Sequence, residues 1–477
     1  MPIIKKIHIH NHPILGSKEI ILSTNSDSIN YKSVIIGANG TGKSHLLKVL
    51  VDIINNEIIG SQYDGSKNDL GYTYSITFAT CEEEYQVNSS ESAEKHHLPQ
   101  HVLACAFNIN DKFPVPSVSA RVYNKKYFYM GVRSASNNAF IGKYKTDFIR
   151  TVVTIVQDPR KLRAFKSFLH NLNLPKRFAI SFKAVRGAQK IFNAISKANS
   201  FGDLGVLLEC LVAEAEIKPT SRTSKERLKK LLSADHAAQE IFSYAKNSPK
   251  NLVSLAVTVD FEDDKSLWGL LETAYILSLL LELRLLTVDE IEMQAARNYT
   301  FAESSSGEFN LLTSLFSIFS KIEDDSVIFI DEPELSLHPN WQLQYMNYLE
   351  EGLNEYRGCH CIIATHSPLL ISNLDSKTSS IIRSSKTQDG AINFNILDFD
   401  TYGWSPENIL YNVFGLTSTR NHYFEMDLRK AISIIADDTK DIPQLESILH
   451  KLSRFNITED DPLSIIISRI QTYINRA

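Results

Sequence analysis

No stretch of this sequence is long and uncharged enough to cross a bilayer. The most apolar run, Leu267 to Leu286, is interrupted by Glu272, Glu282 and Arg284, whereas a span needs about 20 nearly uncharged residues. Cysteine is scarce: five in 477 residues, an odd number, which excludes a disulfide scaffold and points to a reducing compartment. The first residues carry Lys5 and Lys6 and then polar, histidine-rich sequence in place of a secretory h-region, so the expected location is cytoplasmic. Low-complexity tracts and internal repeats are missing, and 19 glycines and 15 prolines are too few for a collagen-like or disordered chain. A net charge of only -5 argues against a polyanion binder as a whole. One local absence breaks this even picture: from Pro159 to Gly202 there is not a single acid.

What is present begins with Lys32 to Leu50. An apolar, β-branched run (Val34, Ile35, Ile36) leads into Gly37-Ala38-Asn39-Gly40-Thr41-Gly42-Lys43-Ser44, and a helical pattern follows at Leu46, Leu47 and Leu50. This is GxxxxGK[ST] in the strand–loop–helix setting the motif requires. Gly37, Asn39, Gly40, Thr41 and Gly42 would turn backbone N–H groups around the phosphates of a nucleotide, helped by the positive end of the helix. Lys43 would bridge the β- and γ-phosphates and the Ser44 hydroxyl would hold Mg²⁺. ATP and Mg²⁺ are the expected cofactors.

A second string, Ser326 to Gln342, reads as a strand apolar on both faces (Val327 to Ile330), as buried parallel strands are. Asp331 at its end is placed to hold Mg²⁺ through water, as a Walker B aspartate does. Glu332 follows as a general base for the attacking water. Two acids at the end of such a strand are expensive to bury without a cation. A third string, Cys359 to Ile371, is another short apolar strand ending in Thr365-His366-Ser367-Pro368, and His366 is close enough in sequence to the acid pair to reach a γ-phosphate. Cys359-His360-Cys361 lacks a second ligand pair at zinc spacing and is not expected to hold metal. His8, His10 and His12 alternate on one strand face, again without carboxylates in a matching motif.

Between the halves lies Ser304-Ser305-Ser306-Gly307-Glu308, followed by apolar helical spacing (Leu311, Leu312, Leu315, Phe316, Phe319). P-loop, SSSGE, strand-DE-P and ATHSP in this order resemble the ATPase head of the ABC superfamily, in particular its SMC, RecF and OLD branch. That resemblance implies an α/β head, a P-loop NTPase core with a small antiparallel β-subdomain. It also implies a signature motif in which Ser305 and Gly307 contact the γ-phosphate bound by a second protomer in a head-to-head dimer. Ser304 stands where Leu is usual and Ser306 where Gly is, departures that put rapid turnover in question. The continuation DEPELSLHPNWQ, with Leu337-His338-Pro339, is similar to ATPases of bacterial defence systems: OLD proteins, the Septu ATPase PtuA and the PARIS ATPase AriA. Their resemblance implies a sensor or regulatory ATPase that controls a separately encoded effector, a nuclease, in an antiviral complex. Gln100 to Phe113 resembles the segment containing the Q-loop, with Asn108 at that position. Neither the Toprim nuclease motifs of OLD proteins nor the sustained heptads of SMC proteins are found. RecF/SMC-like chromosome maintenance and an ATP-bound scaffold with slow turnover are the competing expectations. A transporter ATPase fits least.

The middle of the chain is basic. Lys112 to Gly202 holds eighteen Lys plus Arg and only the acids Asp147 and Asp158, with Tyr127, Phe128, Tyr129, Phe165 and Phe182 interleaved. Three partners suit such a field: a nucleic acid, the acidic remainder of a neighbouring protomer, or an acidic protein such as a DNA mimic. The run Lys218 to Lys230 reads as a solvated helix face. The expected organisation is an N-terminal head lobe over 1–113, a basic and mainly helical insertion over 114–287, a C-terminal head lobe over 288–402 and a helical region over 403–477. Lys265 to Leu286, apolar on most faces, is expected to be a buried helix.

Overall fold

The strand that feeds the glycine-rich loop, Tyr31–Ile36 (β3), is buried at every position, the environment its unbroken apolar run demands. The structure, a computed structural model, describes residues 3–476 except 25–27, 63–68, 80–82, 91–97, 109, 116–125, 132–139, 173, 186–187, 218–234, 248–254, 296, 301–302, 305, 398–399, 417–421, 438–440 and 454–461. Ser305, Arg186 and the Lys218–Lys230 run therefore lie wholly or in part outside the described residues.

With strands numbered along the chain, β3 sits inside a seven-stranded sheet with β6 (Val102–Ala106), β7 (Tyr127–Gly131), β12 (Val327–Asp331), β13 (His360–Thr365), β14 (Ser379–Lys386) and β15 (Ile392–Leu397). The order is β15-β14-β3-β13-β12-β6-β7, parallel throughout except for the antiparallel β14–β15 hairpin. Ile36 pairs with Thr365, and Asp331 with Ala364 and Ala106. The C-terminal ends of β3, β12, β13 and β6 thus share one edge, where open parallel sheets place their ligands.

A smaller antiparallel sheet, order β2-β1-β4-β5, is built from β1 (Ile3–His12), β2 (Gly16–Ile21), β4 (Thr73–Ala79) and β5 (Glu84–Asn88). The helix α1 (Lys43–Gln62) shares one core with both sheets: Leu46, Leu50 and Ile54 cluster with Ile7 and Phe78 of the small sheet and Phe329 and Ile362 of the large one. The imidazoles of His8 and His10 pair on the face opposite Ile7 and Ile9, ring centroids 4.2 Å apart. His12 Nδ1 instead accepts the N–H groups of Ile14 and Leu15 (3.1 and 3.0 Å), capping the β1–β2 turn.

The middle of the chain is mainly helical, as expected, but it also contributes a sheet that the expectation lacked. Arg177–Ala184 (β8), Ala256–Asp260 (β9), Leu286–Gln294 (β10) and Tyr299–Thr300 (β11) form a third antiparallel sheet, order β11-β10-β8-β9. Phe178, Ile180 and Phe182 alternate inward along β8, the period-2 pattern of a strand. Because β10 pairs with β8 from Leu286↔Ala184 to Gln294↔Arg177, the boundary expected between 287 and 288 cuts through one sheet. Around it run α2 (Phe140–Gln157), α3 (Pro159–Asn171), α4 (Ala188–Lys197), α5 (Phe201–Ile217), α6 (Asp235–Asn247) and α7 (Asp264–Glu282). α7 is buried on one face only: Trp268 is 68% and Tyr275 49% exposed, so its apolar content does not make it a core helix. Two further helices, α8 (Ser306–Lys321) and α9 (Pro339–Leu353), complete this part.

Residues 405–477 form a separate compact unit. Its helices α10 (Pro406–Asn412), α11 (His422–Ala436), α12 (Ile442–Leu452) and α13 (Pro462–Arg476) include a core of Leu428, Ala431, Ile434, Leu445, Ile448 and Ile470. Among the described residues no helix is long and apolar enough to cross a membrane.

Candidate functional site

The loop after β3 closes against the β14–β15 hairpin. Gly37 has φ +152°, and a Cβ there would stand 2.2 Å from the Ser384 carbonyl oxygen; at Gly42, φ +89°, it would stand 2.9 Å from Ile392 Cδ1. No other residue fits either position. Ser384 Oγ donates to the Thr41 carbonyl (2.5 Å) and Thr41 Oγ1 to the Ala38 carbonyl (2.8 Å), while Asn39 and Gly40 form the exposed tip. The loop is thereby tied to the hairpin along its length.

Lys43 opens α1 and folds back, its Nζ donating to the Gly37 and Ala38 carbonyls at 2.8 and 3.1 Å. Burial lowers its pKa to about 8, against the opposing pull of Glu332, Asp331 and Glu334. Ser44 Oγ donates to Asp331 Oδ1 at 3.0 Å. Burial pushes the Asp331 carboxyl up to about 7, the Ser44 hydrogen bond working the other way. A carboxylate so placed is ionised readily only with a cation beside it.

Glu332 takes φ +53°, unusual for a non-glycine residue and worth about 1–3 kcal/mol of strain. Its N–H still donates to Ala364 (2.9 Å), so the twist aims the side chain without breaking the sheet. Glu332 Oε1 lies 3.4 Å from His366 Nε2, and Oε2 accepts from Asn108 Nδ2 at 3.1 Å. The hydrogen bond from His366, opposed by burial and aided by Asn108, holds the Glu332 carboxyl below its usual range. His366 Nδ1 lies 3.3 Å from Lys43 Nζ. An amine on lysine is the donor here, so Nδ1 accepts and Nε2–H points at Glu332, a tautomer assigned from the network.

Lys43, Ser44, Asp331, Glu332, His366 and Asn108, taken from four separate sequence segments, thus meet at one sheet edge. Gly307 lies in the first turn of α8, where a Cβ would come 2.6 Å from the Ser336 carbonyl and 3.1 Å from the Trp341 ring; this glycine has a packing reason inside its own chain. The histidine of Cys359-His360-Cys361 is fully buried, with Nδ1 accepting from Ile4 N–H (3.1 Å) and Nε2 against Ser33 Oγ (2.8 Å). Burial lowers its pKa to about 3, and it ties β13 to β1 and β3.

Sequence reasoning missed four contributors. Ser384 and Ile392 shape the loop from a hairpin more than 300 residues away. Lys386 Nζ reaches within 3.9 Å of the Cβ position on Gly40, adding a cation beside the loop. Glu334 accepts the His366 backbone N–H at 2.5 Å; its signal was the second acid of Asp331-Glu332-Pro333-Glu334.

The residues fit ATP and Mg²⁺. Ser44 and Asp331 offer adjacent hard oxygen ligands, and among the described residues no group of three or more His, Cys, Asp or Glu could hold a metal unaided. That is the division of labour Mg²⁺ prefers: one or two protein oxygens, the rest from phosphate and water.

Six described cations of the basic segment pair with acids of the same chain. Arg160 pairs with Asp324 (3.2 Å) and lies over the Tyr356 ring, Lys161 pairs with Glu323 (2.8 Å) and Arg163 with Glu355 (2.7 Å). Lys166, Lys176 and Lys183 meet Asp264, Glu262 and Asp289. Phe165 and Phe182 are buried; Phe165 packs edge-on against Phe316 of α8 and Phe261, at 4.0 and 4.8 Å. These rings are core, not a stacking platform for bases.

Comparison with known proteins agrees with this geometry. Residues 94–372 match the family described as "AAA domain, putative AbiEii toxin, Type IV TA system". The match covers more than half of the chain and includes Asp331, Glu332 and His366, and the chain belongs to that family. Protein ea59 of Escherichia phage lambda is 28% identical over 123 residues, 26% of this chain and 22% of that protein; the match spans about a fifth of that relative's length. Among solved structures, the Smc head domain of Pyrococcus furiosus, bound to the C-terminal domain of ScpA, overlaps 83% of this chain and 97% of its own at 11% identity and TM-score 0.34. The SMC head domain from Thermotoga maritima overlaps 83% and 99% at 10% identity and TM-score 0.31. The strand order and the family match, not these overlaps, carry the fold: an α/β P-loop ATPase head.

Proposed function

Starting from that family membership, we propose that the chain is a Mg²⁺-dependent ATPase serving as the sensor or regulatory subunit of a bacterial antiviral complex with a separately encoded effector, as the Septu and PARIS ATPases do. The observation that carries the ATPase reading is the meeting of Lys43, Ser44, Asp331, Glu332 and His366 at one sheet edge. Mg²⁺, when bound, would supply charge neutralisation to the phosphates. Lys43 would donate to phosphate oxygens, Ser44 and Asp331 would hold the ion, and Glu332 would take the proton of the attacking water. His366 and Asn108 hold the Glu332 carboxylate from both oxygens, keeping it ionised and aimed.

By resemblance, two heads face each other, with Ser305 and Gly307 of one reaching the nucleotide of the other at the N-terminus of α8. ATP closes the pair and hydrolysis opens it. The family's printed description, "putative AbiEii toxin, Type IV TA system", supports a defence role, and a nuclease is the effector proposed. A polyanionic trigger, DNA or an acidic DNA mimic, would act by competing with Glu323, Asp324 and Glu355 for the side chains of α3. The test is purification from the native locus with Mg-ATP and mass spectrometry of what accompanies the chain. A stoichiometric nuclease encoded beside it is the expected result; DNA without a protein partner would move the chain to RecF- or SMC-like chromosome maintenance.

A further inference from the structure

We propose that Glu334 is a positioning residue for the reaction: its carboxylate holds the main chain of the turn whose imidazole bridges Lys43 and Glu332. The proposal rests on the ATPase reading above. His366 is gripped twice from one short segment, by Glu332 at its ring (3.4 Å) and by Glu334 Oε1 at its backbone N–H (2.5 Å). The Thr365 hydroxyl accepts from Ser367 N–H at 2.9 Å. Ser367 Oγ in turn donates to Gln342 Oε1 (2.6 Å), whose Nε2 donates to the Leu337 carbonyl (2.9 Å). The turn is therefore fixed on one side by Glu334 and on the other by α9, and the imidazole is left few orientations but the bridging one.

A carboxylate suits this place because it only accepts, and the His366 N–H is aimed at it; charge-assisted bonds are shorter and stronger than neutral ones. The cost is a buried acid whose Oε2 has no hydrogen-bond partner. A packing role alone would be served by an apolar side chain at no such cost. Glu334 touches no reacting atom in this scheme; it acts through His366.

The test uses the full chain labelled with ¹⁵N-histidine, without nucleotide, the His366 signals being assigned with His366→Gln. Wild type should hold one neutral tautomer, Nε2–H. Glu334→Ala should give an exchanging mixture of tautomers, and its kcat should fall by about 100-fold with KM within about threefold. Glu334→Gln, whose amide oxygen accepts the same N–H, should restore the single tautomer and most of kcat. Glu334→Asp, one methylene too short, should behave like Ala and stands in for it if that variant does not fold. An unchanged tautomer in Glu334→Ala, a Gln variant as defective as Ala, or a loss confined to KM would overturn the proposal. If wild type hydrolyses no ATP the function reading fails, while the tautomer still decides this one.

Discussion

The phosphate loop and the basic segment are the two regions of strongest local character, and the structure treats them in opposite ways. At the loop, short-range pattern and three-dimensional role coincide: Lys43 and Ser44 stand where GxxxxGKS places them and find their partners at the ends of β12 and β13. In the basic segment, charge suggests a partner outside the chain, but Arg160, Lys161 and Arg163 find theirs on the loops at the far ends of those same strands, at Glu323, Asp324 and Glu355. The difference teaches that a motif with its own backbone geometry carries its meaning locally, whereas a charge excess means nothing until the opposite charges are placed. The basic helix sets its cations against the loops that lead into the strands ending at Asp331 and Thr365.

The largest effect should come from Lys43→Ala, which removes the cation of the cradle: Mg-ATPase kcat/KM is expected to fall by about 10³-fold, read as phosphate release. A wild-type rate in that variant would break the loop's side of the comparison. Lys161→Glu addresses the other side. Its side chain is only 7% exposed, and a like-charge pair with Glu323 should cost roughly 2–4 kcal/mol in chemical denaturation, recovered largely by adding Glu323→Lys. Unchanged stability with lost DNA binding would show that Lys161 serves a nucleic-acid partner and not the pairing with Glu323. Gly307→Ala forces a Cβ against the Ser336 carbonyl and should cost about 1–3 kcal/mol, showing that this glycine is needed within one chain. The smallest effect is on pH. Attraction for phosphate needs protonated Lys43, lost as pH rises through about 8. Mg²⁺ binding needs ionised Asp331, lost as pH falls through about 7. Mg-ATP affinity should therefore peak between those values, and a flat profile from pH 6 to 9 would show that neither group titrates as its burial dictates.

The placement of Lys43 and Ser44 could be read from the glycine-rich loop they follow, and that of Asp331, Glu332, His366 and even Asn108 because each lies at or just beyond the end of a short apolar strand that the parallel sheet brings to a common edge. Ser384, Ile392 and Glu334 could not be ranked, since their importance lies in what they approach: a carbonyl beside Gly37, a backbone N–H of His366. The third sheet is legible in the alternation of Phe178, Ile180 and Phe182, but helical patterns on both sides mask so short a strand signal. The pairing of Lys161 with Glu323 spans 162 residues, beyond any window of periodicity. For α7, composition suggested burial, while the exposed Trp268 reflects which face its neighbours happen to cover.

The central claim is that Glu332, held by His366 and Asn108, turns over ATP bound at Lys43. It is tested most directly by measuring retained nucleotide and released phosphate together in wild type and Glu332→Gln with Mg-ATP. The expected result is steady phosphate release by wild type, and in the variant ATP that stays bound and is cleaved at least about 100-fold more slowly. Equal turnover in the two proteins, or none in wild type, would contradict it.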